Sequence, residues 1–477
     1  MTKLKKYGLA IFFVLLILIQ TSCVKRRISY LEREKLAREN AGIKAKAHTG
    51  IFYPENITDF SMEEYLKWYK DLKEPPHLQL ASYENPKKLS KSEMVADFEY
   101  LFKELEESYP FFEVLKRKYD IDFLKNHDIY LKKVKDSKTD EEFIRTLNEI
   151  MGDLHNYHAK IADSAYVDQT LKYYSQNWNQ PSIYYEFLNL NRQVVRNRYG
   201  IDGIQSKTGA GPIKRKQMGL IKDDGKANIS LESQGDLAIL KIYQMGDLAN
   251  IDKDEKILDE FLRNKHMYKA LVIDIRDNVG GNMEYWQRFL MPKLSKNPKQ
   301  VVNHMFFKDS PKTRLLLQDN TLNMENLANV DITGIRLDYP EDLKEFSFYI
   351  KDTIIINPDE SKRDNGYEGK IFLLVDEDVF SAAEGFASFV KNTEFATIVG
   401  SQTGGDGITL GVINSVLPNS GLVFTYTNTL GYDPTGQINE ENPTTPDIES
   451  ASYRQSIEII ENMVNNGSII NRVGRSR

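Results

Sequence analysis

The stretch 370–391, KIFLLVDEDVFSAAEGFASFVK, constrains this chain more than any other. Residues 371–375 are an uninterrupted apolar run, the pattern of a strand buried on both faces of a parallel sheet. An acidic turn of Asp376, Glu377 and Asp378 follows, and Ser381 then opens a segment whose Phe386, Phe389 and Val390 recur at helical spacing. A serine at such a junction lies among free backbone N–H groups that can stabilise an oxyanion. The same residues also spell a capping box, with Ser381 at the N-cap and Glu384 at its third helical position. On this stretch alone Ser381 is either a cap or a nucleophile.

Two further segments carry chemistry. Residues 268–282, YKALVIDIRDNVGGN, read as a second buried strand at 270–275, followed by Gly280 and Gly281. Paired glycines after a parallel strand allow a tight turn and a close backbone approach, although strand-Gly-Gly is also common in ordinary loops. Residues 147–161, LNEIMGDLHNYHAKI, place Leu147, Ile150 and Leu154 on the buried face of a helix that ends near His155 and His158. Those histidines can be packed side chains, a metal pair, or the source of one catalytic base. A metal site needs a third ligand at a recognisable spacing, and no nearby cluster supplies it.

With these three segments in this order, the chain resembles the C-terminal processing (tail-specific) serine peptidases and the catalytic core of tricorn protease. DIRDNVGG is similar to that family's D-L-R-x-N-x-G-G loop, and KIFLLVDEDVFSAAE to its strand and S-A-x-E nucleophile segment. FATIVGSQTGGDG resembles its I-G-x-x-T-x-G-x-G loop, and GDLHNYHA the histidine segment of the tricorn-like branch. The resemblance spans residues 92–165 and 232–450. It implies an α/β fold with a ClpP/crotonase-like core of parallel strands and helices, preceded by a helical subdomain. It also implies a serine peptidase that needs no metal or other cofactor and acts on a peptide or polypeptide.

The site residues follow from the same comparison. Ser381 matches the nucleophile and His158 the histidine that activates it, with Tyr157 where the family has Ser or Gly. His155 falls three residues early and is expected to shape the site rather than act in it. In the lysine-type branch the glycine loop carries the base, but here that position is Asp406, and a carboxylate cannot replace a desolvated amine. The chain therefore resembles the histidine-type branch. Counting back from Pro446-Asp447 puts the supporting carboxylate at Glu440, with Glu441 adjacent, and leaves Asp406 without a proton to move, so that Asp406→Asn is expected to be mild. The Ala382 N–H and a glycine N–H from Gly280 or Gly281 are expected to form the oxyanion hole.

The N-terminus bears on location. Lys3, Lys5 and Lys6 precede an apolar stretch at 9–19 that is short for a transmembrane span. Cys23, the one cysteine among 477 residues, follows Gln20-Thr21-Ser22. This resembles a bacterial lipobox and implies an exported lipoprotein anchored in the cell envelope. A lone cysteine also means that no disulfide can form within the chain.

The expected organisation is a signal peptide at 1–23, a tether at 24–91, a helical subdomain at 92–165, an unassigned insertion at 166–231, an α/β core at 232–460 and a tail at 461–477. Strands (LAILKIY, ALVIDI, IFLLVD, ATIVG) alternate with helices from residue 236 onward. The aromatic run LKYYSQNWNQPSIYYEFLNLN reads as half-buried sheet packing in preference to a substrate-gripping surface, and residues 309–366 as an insertion without an assigned role. A net charge of −6 with interspersed signs argues against a nucleic-acid partner. The competing functional readings are an inactive peptide-binding scaffold on the same fold and, less compatible with the residues, a metallohydrolase built on His155 and His158.

Overall fold

The computed structural model describes residues 62–70, 84–174, 180–201, 227–248, 251–319, 322–359, 361 and 366–465. Cys23, the apolar stretch at 9–19 and the loop-like SKTGAGPIKRKQMG lie outside the described residues. No helix among the described residues is long and apolar enough to cross a membrane.

A six-stranded sheet forms the centre of the fold. Its strands are β2 (Ile229–Gln234), β3 (Leu237–Ile242), β4 (Ala270–Asp274), β8 (Lys370–Val375), β9 (Thr397–Gly400) and β13 (Ile448–Glu449), in the order β13-β9-β8-β4-β3-β2. All neighbours pair in parallel except β2, which runs antiparallel to β3. The apolar runs read from the sequence have a direct cause. Leu271 and Ile273 of β4, with Leu373 and Val375 of β8, face one hydrophobic cluster. Ala270 and Val272, with Phe372 and Leu374, face another on the opposite side. Alternate residues must be apolar for each face, so every residue is.

The helix Ala382–Thr393 covers the first face, with Phe386, Phe389 and Val390 packed beside Trp286 and the helix Asp252–Asn264. The closing helix Tyr453–Asn465 covers the second through Ile457 and Ile460.

The helical subdomain has its own core. The helix Lys91–Ser108 begins with a complete capping box between Ser90 and Glu93, and buries Phe98, Leu101 and Leu105 against Phe143, Leu147 and Ile150 of the helix Asp140–Gly152. Thr139 caps the latter helix by accepting from Glu142 N–H. This cluster continues into Phe424 and Tyr426 of β11 (Val423–Tyr426), so the subdomain packs on a small sheet of β1 (Lys160–Ile161), β11 and β10 (Ile413–Val416).

Two expectations are corrected. The aromatic run beyond residue 166 is helical, in Ser164–Tyr174, Pro181–Leu190 and Gln193–Tyr199. Pro181 stands at a helix start, where its missing N–H costs nothing, and Tyr184, Phe187 and Leu190 repeat at helical spacing toward the interior. The stretch 309–366 contributes β7 (Phe346–Ile356), the antiparallel partner of β5 (Lys299–Lys308). The adjacent charges of Lys351 and Asp352 interrupt any simple apolar alternation in β7.

Candidate active site

Ser381 sits between the loop that follows β8 and the first turn of the helix Ala382–Thr393, with φ 55° and ψ −125°. A non-glycine residue there is strained, and surrounding bonds must hold it. They do so from two sides. Ser381 N–H donates to the Gly405 carbonyl at 3.1 Å, and Phe380 N–H to the Asn278 carbonyl at 3.2 Å. A Cβ on Gly280 would lie 2.8 Å from both Phe380 O and Ser381 Cβ, so glycine is needed for this approach.

The capping box legible in the sequence does not form. Ser381 makes no side-chain capping bond. Glu384 is fully buried and turned away, its Oε1 accepting from Asn439 Nδ2 (2.7 Å), Thr444 N–H (3.1 Å) and Thr444 Oγ1 (2.8 Å). The Ser381 hydroxyl is thereby left to another partner.

That partner comes from the helical subdomain. After the helix Asp140–Gly152 the chain turns through His155 at φ 47°, and Asn156 Oδ1 accepts the His158 N–H at 2.8 Å. Thr425 Oγ1 of β11 donates to the His158 carbonyl at 2.6 Å, just before β1 pairs with β11. The imidazole so fixed has Nε2 3.1 Å from Ser381 Oγ and Nδ1 2.7 Å from Asp406 Oδ2. The Phe380 ring lies 4.7 Å from the imidazole, centroid to centroid.

Asp406 is buried between Gly405 and Gly407, with φ 49°. Its Oδ2 also accepts from Asn156 Nδ2 at 3.0 Å. With Nδ1–H donating to this carboxylate, Nε2 is the lone-pair nitrogen and can accept the serine proton.

The supporting carboxylate is thus relocated. Asp406, not Glu440, touches the imidazole, and the expectation that Asp406→Asn would be mild is reversed. Counting along the sequence could not reveal that a left-handed residue between two glycines turns its side chain toward Nδ1. Glu440 is buried beside the same loop, and its Oε2 has no hydrogen-bond partner among the described residues. Burial, and then the nearby Asp406 charge, push its carboxyl well above the ordinary range, which favours the neutral acid. Glu441 instead forms a forked ion pair with Arg117, which also holds Asp342.

The remaining expectations resolve residue by residue. Gly280 N–H already donates to Asn278 Oδ1, which leaves Gly281 and Ala382 as backbone donors near the nucleophile. His155 stacks on Tyr119 at 4.1 Å, and both ring nitrogens of His158 have protein partners, so the two histidines do not form a metal pair. Tyr157 is half exposed and meets the Phe380 ring edge-on. Among the described residues, Asp277, Asp376 and Asp378 come close enough to share a cation, but Asp376 already accepts the Asp277 and Asp378 N–H groups. Asn156 was missed by sequence reading; an amide flanking the histidine carries no signal without the fold.

Residues 236–450 match the model of peptidase family S41. This segment belongs to peptidase family S41. The match supports a serine-type peptidase, and the matched segment contains Ser381 and Asp406 but begins after His158. The fold is similar to that of mature CPAF complexed with lactacystin, at 16% identity and TM-score 0.51, covering 79% of this chain and 99% of that one. It is similar also to mature CPAF, at 16% identity and TM-score 0.50, covering 80% and 99%. No curated protein matches the chain in sequence.

Two predictions follow from the carboxyl groups. Asp406→Asn should lower kcat/KM by at least ~100-fold, because the amide no longer stabilises the imidazolium, whereas Glu440→Gln should be mild by comparison, replacing a neutral acid with a neutral amide. Steady-state assays of both variants check this, and equal losses would reject it. Burial, the main cause, raises the Glu384 carboxyl to about 7. The native state therefore holds this proton more tightly than the unfolded chain. The resulting stability is present below the ordinary carboxylic range and is lost as pH rises toward 7, an effect on the order of 3 kcal/mol. Urea unfolding at pH 4.5 and 7.5 should show Glu384→Gln with the smaller decline.

Proposed function

We propose that this peptidase cleaves peptides or unfolded polypeptide through an acyl-enzyme, with Ser381 as nucleophile, His158 as general base and acid, and Asp406 as orienting carboxylate. The observation that carries this reading is the continuous contact from Ser381 Oγ to Nε2 and from Nδ1 to Asp406. Ser381 Oγ attacks the scissile carbonyl carbon while its proton passes to Nε2. The carbonyl oxygen becomes an oxyanion facing the Ala382 and Gly281 N–H groups, each such donor contributing ~3 kcal/mol in the transition state. Nε2 then protonates the leaving amine as the C–N bond breaks. Water repeats the sequence on the ester, giving its proton to Nε2, and the acid product and free Ser381 are released.

Burial favours this chemistry. Asp406 is nearly excluded from solvent, so its attraction to a developing imidazolium is weakly screened. The base must be neutral to accept a proton, and the Nδ1–H bond to Asp406 leaves Nε2 with its lone pair toward Ser381.

A fluorophosphonate probe should label the purified protein at Ser381, and Ser381→Ala should abolish both labelling and turnover. Unchanged hydrolysis by Ser381→Ala would reject the nucleophile; a folded wild-type protein that never labels would favour the inactive scaffold.

The reading extends to location. We infer from the basic start, the apolar stretch at 9–19 and the lone Cys23 that the enzyme is exported, lipidated at Cys23 and held in the bacterial cell envelope. Cys23→Ser should release the protein from the membrane fraction or leave an unprocessed precursor. Fractionation followed by N-terminal sequencing tests this; unchanged membrane association and an unchanged mature N-terminus would oppose it.

A further inference from the structure

The loop that carries Asp406 is fastened at both ends to one oxygen atom. At its far end, Gly407 N–H donates to Asn439 Oδ1 at 2.6 Å, and Asn439 Nδ2 donates to Glu384 Oε1 at 2.7 Å. At its near end, Thr403 donates through both N–H and Oγ1 to the Thr444 carbonyl, each at 3.1 Å. Thr444 in turn donates through N–H and Oγ1 to the same Glu384 Oε1. Glu384 belongs to the first turn of the helix that Ser381 opens.

Packing reinforces these bonds. A Cβ on Gly407 would lie 2.3 Å from Gly385 N and 2.7 Å from Glu384 Cγ, so the loop rests directly on that first turn. The middle of the loop supplies the Gly405 carbonyl to Ser381 N–H and the Asp406 carboxylate to His158.

We propose that Glu384 is a positioning residue that registers the Asp406 loop against the nucleophile helix, so that one buried carboxyl sets the distance between the orienting carboxylate and the imidazole. The proposal rests on the Ser381–His158–Asp406 reading above and assigns Glu384 no contact with substrate. All three bonds to Glu384 end on Oε1, while Oε2 has no partner among the described residues. The proposal assigns the positioning to the acceptor at Oε1 rather than to a negative charge. Glutamine retains that acceptor; alanine removes it.

The test is the rate of fluorophosphonate labelling at Ser381 across pH, measured on the full-length protein and its variants. Glu384→Ala should label at least ~10-fold more slowly, and its acid limb should move to lower pH, because a loosened Asp406 no longer favours the protonated imidazole. Glu384→Gln should recover most of the rate with the acid limb at its wild-type position. Asn439→Ala cuts the link to Gly407 alone and should shift the limb in the same direction, which decides the matter if Glu384→Ala does not fold. A wild-type limb in the alanine variants, recorded at pH values where urea unfolding shows each of them folded, overturns the proposal. Glutamine as impaired as alanine also overturns it. A wild-type protein that does not label overturns the triad reading itself, and this inference with it.

Discussion

The contact between His158 Nδ1 and Asp406 joins residues 248 positions apart, and the proposed triad depends on it. One partner ends a turn below a helical subdomain, and the other occupies a glycine loop of the S41 domain. Neither is held by the other alone. Asn156 fixes the backbone of His158 and also donates to Asp406, while Thr425 grips the His158 carbonyl from β11. Each added bond restricts the rotation of a group that would otherwise need to be ordered during the reaction, which is where positioned catalysts gain over free ones.

The strained serine follows the same logic from the other side. An ordinary N-cap would turn the hydroxyl onto its own helix. Here the Gly405 carbonyl takes the Ser381 N–H, Glu384 is committed to residues 439–444, and the hydroxyl faces the imidazole. Glycine at 280 permits the loop after the neighbouring strand β4 to approach Ser381 closely. Burial and the Asp406 charge both raise the Glu440 carboxyl, the direction that lessens the repulsion two close buried carboxylates would suffer.

Sequence patterning reached the central sheet because burial on both faces leaves an unbroken apolar signature in β4 and β8. Periodicity alone left Ser381 as cap or nucleophile and the histidines open; the resemblance of their segments to the peptidase family singled out Ser381 and His158. Patterning misjudged the helices at 164–199, where aromatic residues suit a strand as readily as a packed helix, and β7, where charges break the alternation. It misplaced the supporting carboxylate for a different reason. A residue's role in this site depends on the backbone region it occupies, and Asp406 acquires its role from a left-handed turn between glycines that spacing does not encode. The bland reading of Ser381 as a cap was equally a matter of competition, since Glu384 has better partners only after residues 439 and 444 fold beside it.

The brief pairing of β1 with β11 has a consequence for when activity arises. Two residues and a threonine hydroxyl anchor the segment that delivers the base, and their partners lie far along the chain. Contacts of such sequence separation close loops that are costly in entropy, and they form late relative to local helices. Without that pairing Ser381 would lack the His158 ring nitrogen as its partner. Ser381 therefore gains its imidazole partner only where residues far apart in the chain are folded together.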